Sequence, residues 1–265
     1  MTLGATRGAS AGVMRASLTI ATGGLVRTAR TPSLLVQSLF FPTFFLVVYS
    51  GLYAAVVRLE GFPTDSVENW YVPFMMLQGA SFAGIGVGFS TSLDISNGFF
   101  DRLMMSPVSR IAILVGSIFG GLLRALFVST VVLAVGLIFG ARPTGGLMGF
   151  FWLYIAVVGM CVASSCWALG LVYRFKDQRI APLFPIGIFV VLFTSTAQVP
   201  LNVSTGWLQK IAQVNPVTEV LGLARQSFMD IGVTSAETID GVIALLLIVF
   251  SLGVFAWTGL RRYLG

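Results

Sequence analysis

Histidine is absent from this 265-residue chain, cysteine and lysine occur twice each, and charged residues make up only 10% of it. Without an imidazole there is no Ser-His-Asp triad and no histidine proton relay, and the acids do not gather with cysteines into a zinc cluster. Cys161 and Cys166 lie in one apolar run, where their five-residue spacing turns them apart on a helix and no oxidising solvent reaches them; they read as small packing residues. The two lysines, Lys176 and Lys210, stand outside any Gly-x-x-x-x-Gly-Lys-Ser/Thr setting, so the chain carries no phosphate-cradling loop. Its carboxylates fall outside the apolar runs or at their rims. That argues against a proton- or sodium-coupled carrier, which needs an ionisable group near the bilayer midplane.

What the chain does have is apolar length. Hydrophobic residues make up 56% of it and its mean hydropathy is +0.92, far outside soluble usage. A bilayer core of about 30 Å takes roughly 20 helical residues to cross. Crossings are expected at Leu34–Val57, Pro73–Leu93, Ile111–Phe139, Leu147–Tyr173, Pro182–Val199 and Ile239–Leu260. The fold class is therefore an all-α integral membrane protein with six transmembrane helices, a tail at 1–33 and one membrane domain at 34–265.

Orientation follows from Lys and Arg, which resist translocation near a span. One set of gaps holds Arg7, Arg15, Arg27 and Arg30, then Arg102 and Arg110, then Arg174, Lys176 and Arg179, and finally Arg261 and Arg262. The other holds only Arg58, Arg142, Lys210 and Arg225, together with Glu60, Asp65, Glu68, Glu219, Asp230 and Glu237. Both termini are expected in the cytoplasm of a plasma-membrane protein. The net charge of +6 is accounted for by this topology rather than by a nucleic-acid partner.

Residues 1–33 lack a compact apolar core before a cleavage site. On a helix, Met14, Leu18, Ala21 and Leu25 form a narrow stripe. This segment is either an amphipathic helix lying in the interface or a basic tail that only sets topology.

Arg124 stands inside the third apolar run, where a charge at the bilayer centre costs about 2.5–3.5 kcal/mol. That run is about 43 Å long at 1.5 Å per residue, so Arg124 is expected near enough to the interface to snorkel. Gly116 with Gly120, and Gly136 with Gly140, have the spacing that lets helices approach closely. Pro42 bends the first span and frees a carbonyl; around it Phe40, Phe41, Phe44 and Phe45 line a passage or meet lipid.

Two segments between spans are informative. Asp94 to Arg110 contains a helix-length piece in which Phe99, Phe100 and Leu103 form an apolar face, followed by Ser106-Pro107 before the next helix. Either a cytoplasmic partner or the membrane interface covers that face. Trp207–Val214 and Val217–Met229 are too apolar for a free loop and too short to cross as a pair. They read either as two re-entrant helices, split at Asn215-Pro216 and forming an external gate, or as an interfacial hairpin anchored by Trp207. Asn202-Val203-Ser204 also fits a glycosylation sequon.

The order Asp94, Gly98, Asp101-Arg102-Leu103 and Ser106-Pro107-Val108-Ser109-Arg110 resembles the cytoplasmic loop of ABC-2 type transporter permeases, particularly daunorubicin-resistance-type exporters. Arg30-Thr31-Pro32 is similar to the step this family places before its first span. Val199-Pro200-Leu201-Asn202, Gly206-Trp207-Leu208-Gln209, Asn215-Pro216-Val217-Thr218 and Ala224-Arg225 are similar to its signature between the fifth and sixth spans. Asp94 departs from the more usual Glu, and Phe99-Phe100 from small and aliphatic residues.

The resemblance implies a permease that is not itself an enzyme. A second permease copy or paralogue and two cytoplasmic ATPase subunits complete the transporter; ATP and Mg are held by the ATPase, and no cofactor by this chain. Asp94, Gly98, Phe99, Phe100, Asp101, Arg102 and Leu103 then couple to the ATPase. Gln37, Ser38, Gln78, Ser81, Thr194, Ser195, Thr196 and Gln198 line the path of a hydrophobic drug-like or lipid-like cargo, or else bond helix to helix. Trp207, Asn215 and Pro216 belong to the external gate. Export of a polysaccharide or glycolipid precursor is the alternative within the family, and an ATP-independent carrier or scaffold the alternative outside it.

Overall fold

The computed structural model describes residues 32–55, 57, 62–105, 110–229 and 232–264. The helix read at the N-terminal tail lies outside the described residues, as does the Arg30-Thr31 step. Every element described is helical: α1 (Pro32–Leu52), α2 (Val67–Ser96), α3 (Phe99–Met104), α4 (Arg110–Ile138), α5 (Gly146–Phe175), a 3-10 turn at Gln178–Ile180, α6 (Leu183–Phe193), α7 (Trp207–Val214), α8 (Pro216–Arg225) and α9 (Ser235–Leu264). Four of them, α2, α4, α5 and α9, are long and apolar enough to cross a membrane.

The bundle is organised around α2, in which every residue from Asn69 to Gly88 is buried. Lipid tails are as apolar as leucine, so close van der Waals approach, rather than hydrophobicity, must hold helices together in a bilayer. The α2 sequence supplies small residues for that purpose. A Cβ at Gly84 would stand 2.1 Å from Ser164 Oγ, and one at Gly88 would stand 2.4 Å from Ala168 Cβ on α5. Gly136 of α4 likewise receives Val72, whereas Gly140 faces open space and instead takes φ +113° in the turn after α4.

Ring contacts fix the direction of the two shorter apolar helices. Phe89, Phe82 and Phe74 of α2 meet Phe184, Phe189 and Phe193 of α6 in that order, so α6 runs antiparallel to α2. On α1, Phe41 meets Phe82 while Tyr49 meets Tyr71, again antiparallel. The helix expected to run through Val199 ends at Phe193, and Thr194–Gln198 continue as turns. Here Thr194 and Ser195 bond their own preceding carbonyls, a side-chain competition that ends helices. The second short helix also stops early, at Arg225 instead of Met229.

The bundle has two unlike ends. At one, the end of α2, α3, the end of α5 and the end of α9 gather: the Tyr263 hydroxyl donates to Asp101 Oδ1 at 2.7 Å and Lys176 Nζ to the Tyr263 carbonyl at 3.1 Å. Arg102, Arg174, Lys176, Arg261 and Arg262 therefore share one end. At the other end, the start of α2, the α4–α5 turn and α8 meet. Arg142 N–H donates to Asn69 Oδ1 at 2.8 Å, and both Thr144 and Gly145 N–H donate to the Ser227 carbonyl.

Candidate coupling and transport site

Six residues of helix at the basic end form the first part of the site. Gly98 (φ +65°) takes the left-handed turn between α2 and α3, a conformation open to glycine at little steric cost. The turn divides the expected apolar face in two. Phe100 points inward, 3% exposed, with its ring 5.6 Å from Tyr173 and 5.3 Å from Tyr263, while Phe99 is 43% exposed. Leu103 is half-buried against the core, and the exposed Arg102 donates from Nε to the Gly98 carbonyl. Asp94 sits half-buried on the last turns of α2. Phe99 is thus the aromatic that α3 presents outward, and Phe100 is an anchor.

The polar positions expected along a cargo path fall into two groups. In mid-bundle, Ser38, Gln78 and Ser81 are all buried; the Gln37 side chain lies outside the described residues. Ser81 bonds the Leu77 carbonyl within its own helix. Gln78 differs: it is fully buried and neither its Oε1 nor its Nε2 has a partner among the described residues. One helical turn separates it from Phe74 and from Phe82, the rings that touch α6 and α1. The second group, Thr194 to Gln198, lies at the far end beside Tyr49 and Tyr71. There the Tyr71 hydroxyl donates to the Gln198 carbonyl at 2.8 Å and Gln198 Nε2 approaches the Tyr49 hydroxyl at 3.5 Å.

At this far end Asn215 is buried and caps α8, accepting from Val217 N–H while its Nδ2 donates to the Val191 carbonyl at 2.7 Å. Pro216 follows at the first helical position, where its missing N–H costs nothing. Trp207 is exposed at the start of α7. Sequence reasoning placed Arg225 among the loop charges, yet it is 4% exposed. Its guanidinium lies 3.4 Å over the Trp70 ring, and it donates to the Thr196, Ala197 and Trp70 carbonyls at 3.0, 3.0 and 3.3 Å. One residue thereby ties α8 to the start of α2 and to the turns after α6. Its place in an otherwise apolar amphipathic segment, and the Ala224-Arg225 step itself, were the sequence signals for it. Glu219, exposed on the same helix, has its carboxyl pKa raised by partial burial and then by Asp240 and Glu237.

Arg124 does not snorkel. It is 5% exposed, lies against Gly86, where a Cβ would clash, and donates from Nη2 to the Ala83 carbonyl at 2.6 Å. Its Nε and Nη1 have no partner among the described residues. The reason is that glycine and small residues on α2 and α5 leave room for the guanidinium inside the bundle, so the side chain has no need to reach the interface. Cys161 and Cys166 are buried and unbridged.

Residues 16–229 match the family described as ABC-2 type transporter. A daunorubicin resistance ABC transporter permease protein of Streptomyces coeruleorubidus is 28% identical over 85% of this chain and 81% of its own. A probable doxorubicin resistance ABC transporter permease protein of Mycobacterium tuberculosis is 27% identical over 76% of this chain and 72% of its own. A probable multidrug ABC transporter permease of Escherichia coli is 24% identical over 64% and 50%.

Proposed function

The chain belongs to the ABC-2 type transporter family, and we propose that it is the membrane subunit of an ATP-driven exporter of hydrophobic, drug-like compounds. A separate ATPase docks on the α3 end of the bundle. In this reading that end is cytoplasmic, because Arg102, Arg174, Lys176, Arg261 and Arg262 share it. The antiparallel courses of α1 and α6 along α2 support six crossings. A second permease copy completes the path, and α7 and α8 close its outer end.

The observation that carries the proposal is the unlike setting of the two aromatics on α3: Phe99 is 43% exposed at the basic end, while Phe100 is anchored between two tyrosines of α5 and α9. A push on such a helix is transmitted, because its buried ring cannot move without moving them. The cargo then experiences a shift between inward- and outward-open populations. Gln78 between Phe74 and Phe82 supplies one polar group in an aromatic passage, as suits an amphipathic cargo.

The test is reconstitution with an ABC ATPase that co-purifies with the chain. Proteoliposomes loaded with ATP on the ATPase side should move daunorubicin across the bilayer. Transport that is indifferent to ATP, or failure of any ATPase to co-purify, refutes the reading.

A further inference from the structure

A helix that is pushed at one end of a bundle affects the other end only through contacts stiff enough to carry the load. Two routes lead away from α3. The covalent route passes back into α2 through Gly98, which is in the left-handed conformation and has no side-chain cap. A lone uncapped glycine makes that junction a compliant link. The other route runs through Tyr263 near the end of α9. Its hydroxyl donates to Asp101 Oδ1 at 2.7 Å, its ring meets Phe100 edge-on at 5.3 Å, and Lys176 Nζ lies 4.4 Å from the ring centroid.

Behind Tyr263, α9 is clamped to α5. Arg174 donates to the Phe255 carbonyl and to Thr258 Oγ1, both at 2.6 Å, with its guanidinium 3.8 Å over the Phe255 ring. A Cβ at Gly259 would stand 3.0 Å from the Gly170 carbonyl, so the two backbones touch with no slack. Further along, Gly159 of α5 receives Leu245, and Gly241 of α9 seats against Leu223 and the Glu219 carbonyl of α8. From Tyr263 to Gly241 is about 33 Å of helix at 1.5 Å per residue, the thickness of a bilayer core. The helix reached there, α8, carries Arg225 and its hold on Trp70, Thr196 and Ala197.

We infer that Tyr263 is a positioning residue for transport: it pins α3 to α9, and the α5–α9 pair carries the displacement as one body to the Arg225 cluster at the opposite end. The inference rests on the exporter reading and adds the path by which the ATPase stroke reaches the outer closure.

The experiment compares daunorubicin moved per ATP hydrolysed in proteoliposomes holding the permease and its ATPase. Tyr263→Phe keeps the ring and removes one hydrogen bond. It should lower that ratio roughly 3- to 10-fold, with co-purification of the ATPase and total ATP hydrolysis kept within about twofold. A purely structural role would lower yield and hydrolysis together instead. In a second arm, Asp101→Cys and Tyr263→Cys, in a background with Cys161→Ala and Cys166→Ala, are bridged by a short bismaleimide. Bridging should raise the daunorubicin moved per ATP above that of the same double-cysteine protein before bridging, because the link replaces the lost pin between α3 and α9. A wild-type ratio in Tyr263→Phe, or no gain on bridging, overturns this inference alone. Absence of ATP-driven transport by the unaltered complex overturns the exporter reading and this inference with it.

Discussion

Arg225→Ala removes the guanidinium that joins three segments at the far end of the bundle, and the size of its effect can be worked from the contacts. Two bonds at 3.0 Å to the Thr196 and Ala197 carbonyls contribute about 1 to 1.5 kcal/mol each, net of the water they replace. The longer bonds to the Trp70 carbonyl and Thr196 Oγ1 add less. Stacking on Trp70 at 3.4 Å adds about 1 to 2 kcal/mol for a desolvated pair. Against these stands the cost of burying a charge, which the substitution relieves. On balance a loss of about 3 kcal/mol is expected, with Arg225→Lys losing about 2, since a point charge cannot span two carbonyls and a ring face at once. Equilibrium unfolding in mixed micelles measures the loss. A Thr196→Cys reporter, buried in the parent protein, should react faster with a water-soluble maleimide once Arg225 is truncated. If Arg225→Ala unfolds within about 1 kcal/mol of the parent and the reporter stays protected, Arg225 does not hold the closure.

Phe99→Ala should leave the fold intact and reduce ATPase co-purification, whereas Phe100→Ala should destabilise the bundle by about 3–5 kcal/mol as a buried aromatic truncation; pull-down and thermal melts in detergent separate the two. Gln78→Leu should stabilise the protein by about 1–3 kcal/mol, because it removes a fully buried amide without partners among the described residues. Daunorubicin transport should fall in the same variant, and a stabilised variant that transports normally would remove Gln78 from the path. Glu219 has a raised carboxyl pKa, so its folded form prefers the proton: its favourable contribution is complete below the ordinary carboxylate range and is lost as pH rises through the raised value. Glu219→Gln should therefore melt higher than the parent at pH 7.5, with the gap closing as pH falls towards 4; a pH-independent difference would exclude this linkage.

The membrane class and the courses of four spans were legible in the sequence, because apolar length and basic asymmetry are local properties that the bilayer reads directly. So was the short helix after Asp94, from its turn residues and its following Ser-Pro. Those signals place side chains along the chain and not around the bundle. That Phe99 faces out while Phe100 faces in was decided by Gly98 and by where Tyr173 and Tyr263 come to rest. Arg124 illustrates the limit: hydropathy sent its charge to the interface, whereas Gly86 and the Ala83 carbonyl, on a helix 38 to 41 residues earlier in the chain, gave it a place inside. Arg225 is the converse, a charge in a segment between spans that became the most buried cation at its end of the molecule among the described residues. Both outcomes depend on groups brought together from distant positions, and only the folded chain supplies the carbonyls and ring faces that make a buried charge tolerable.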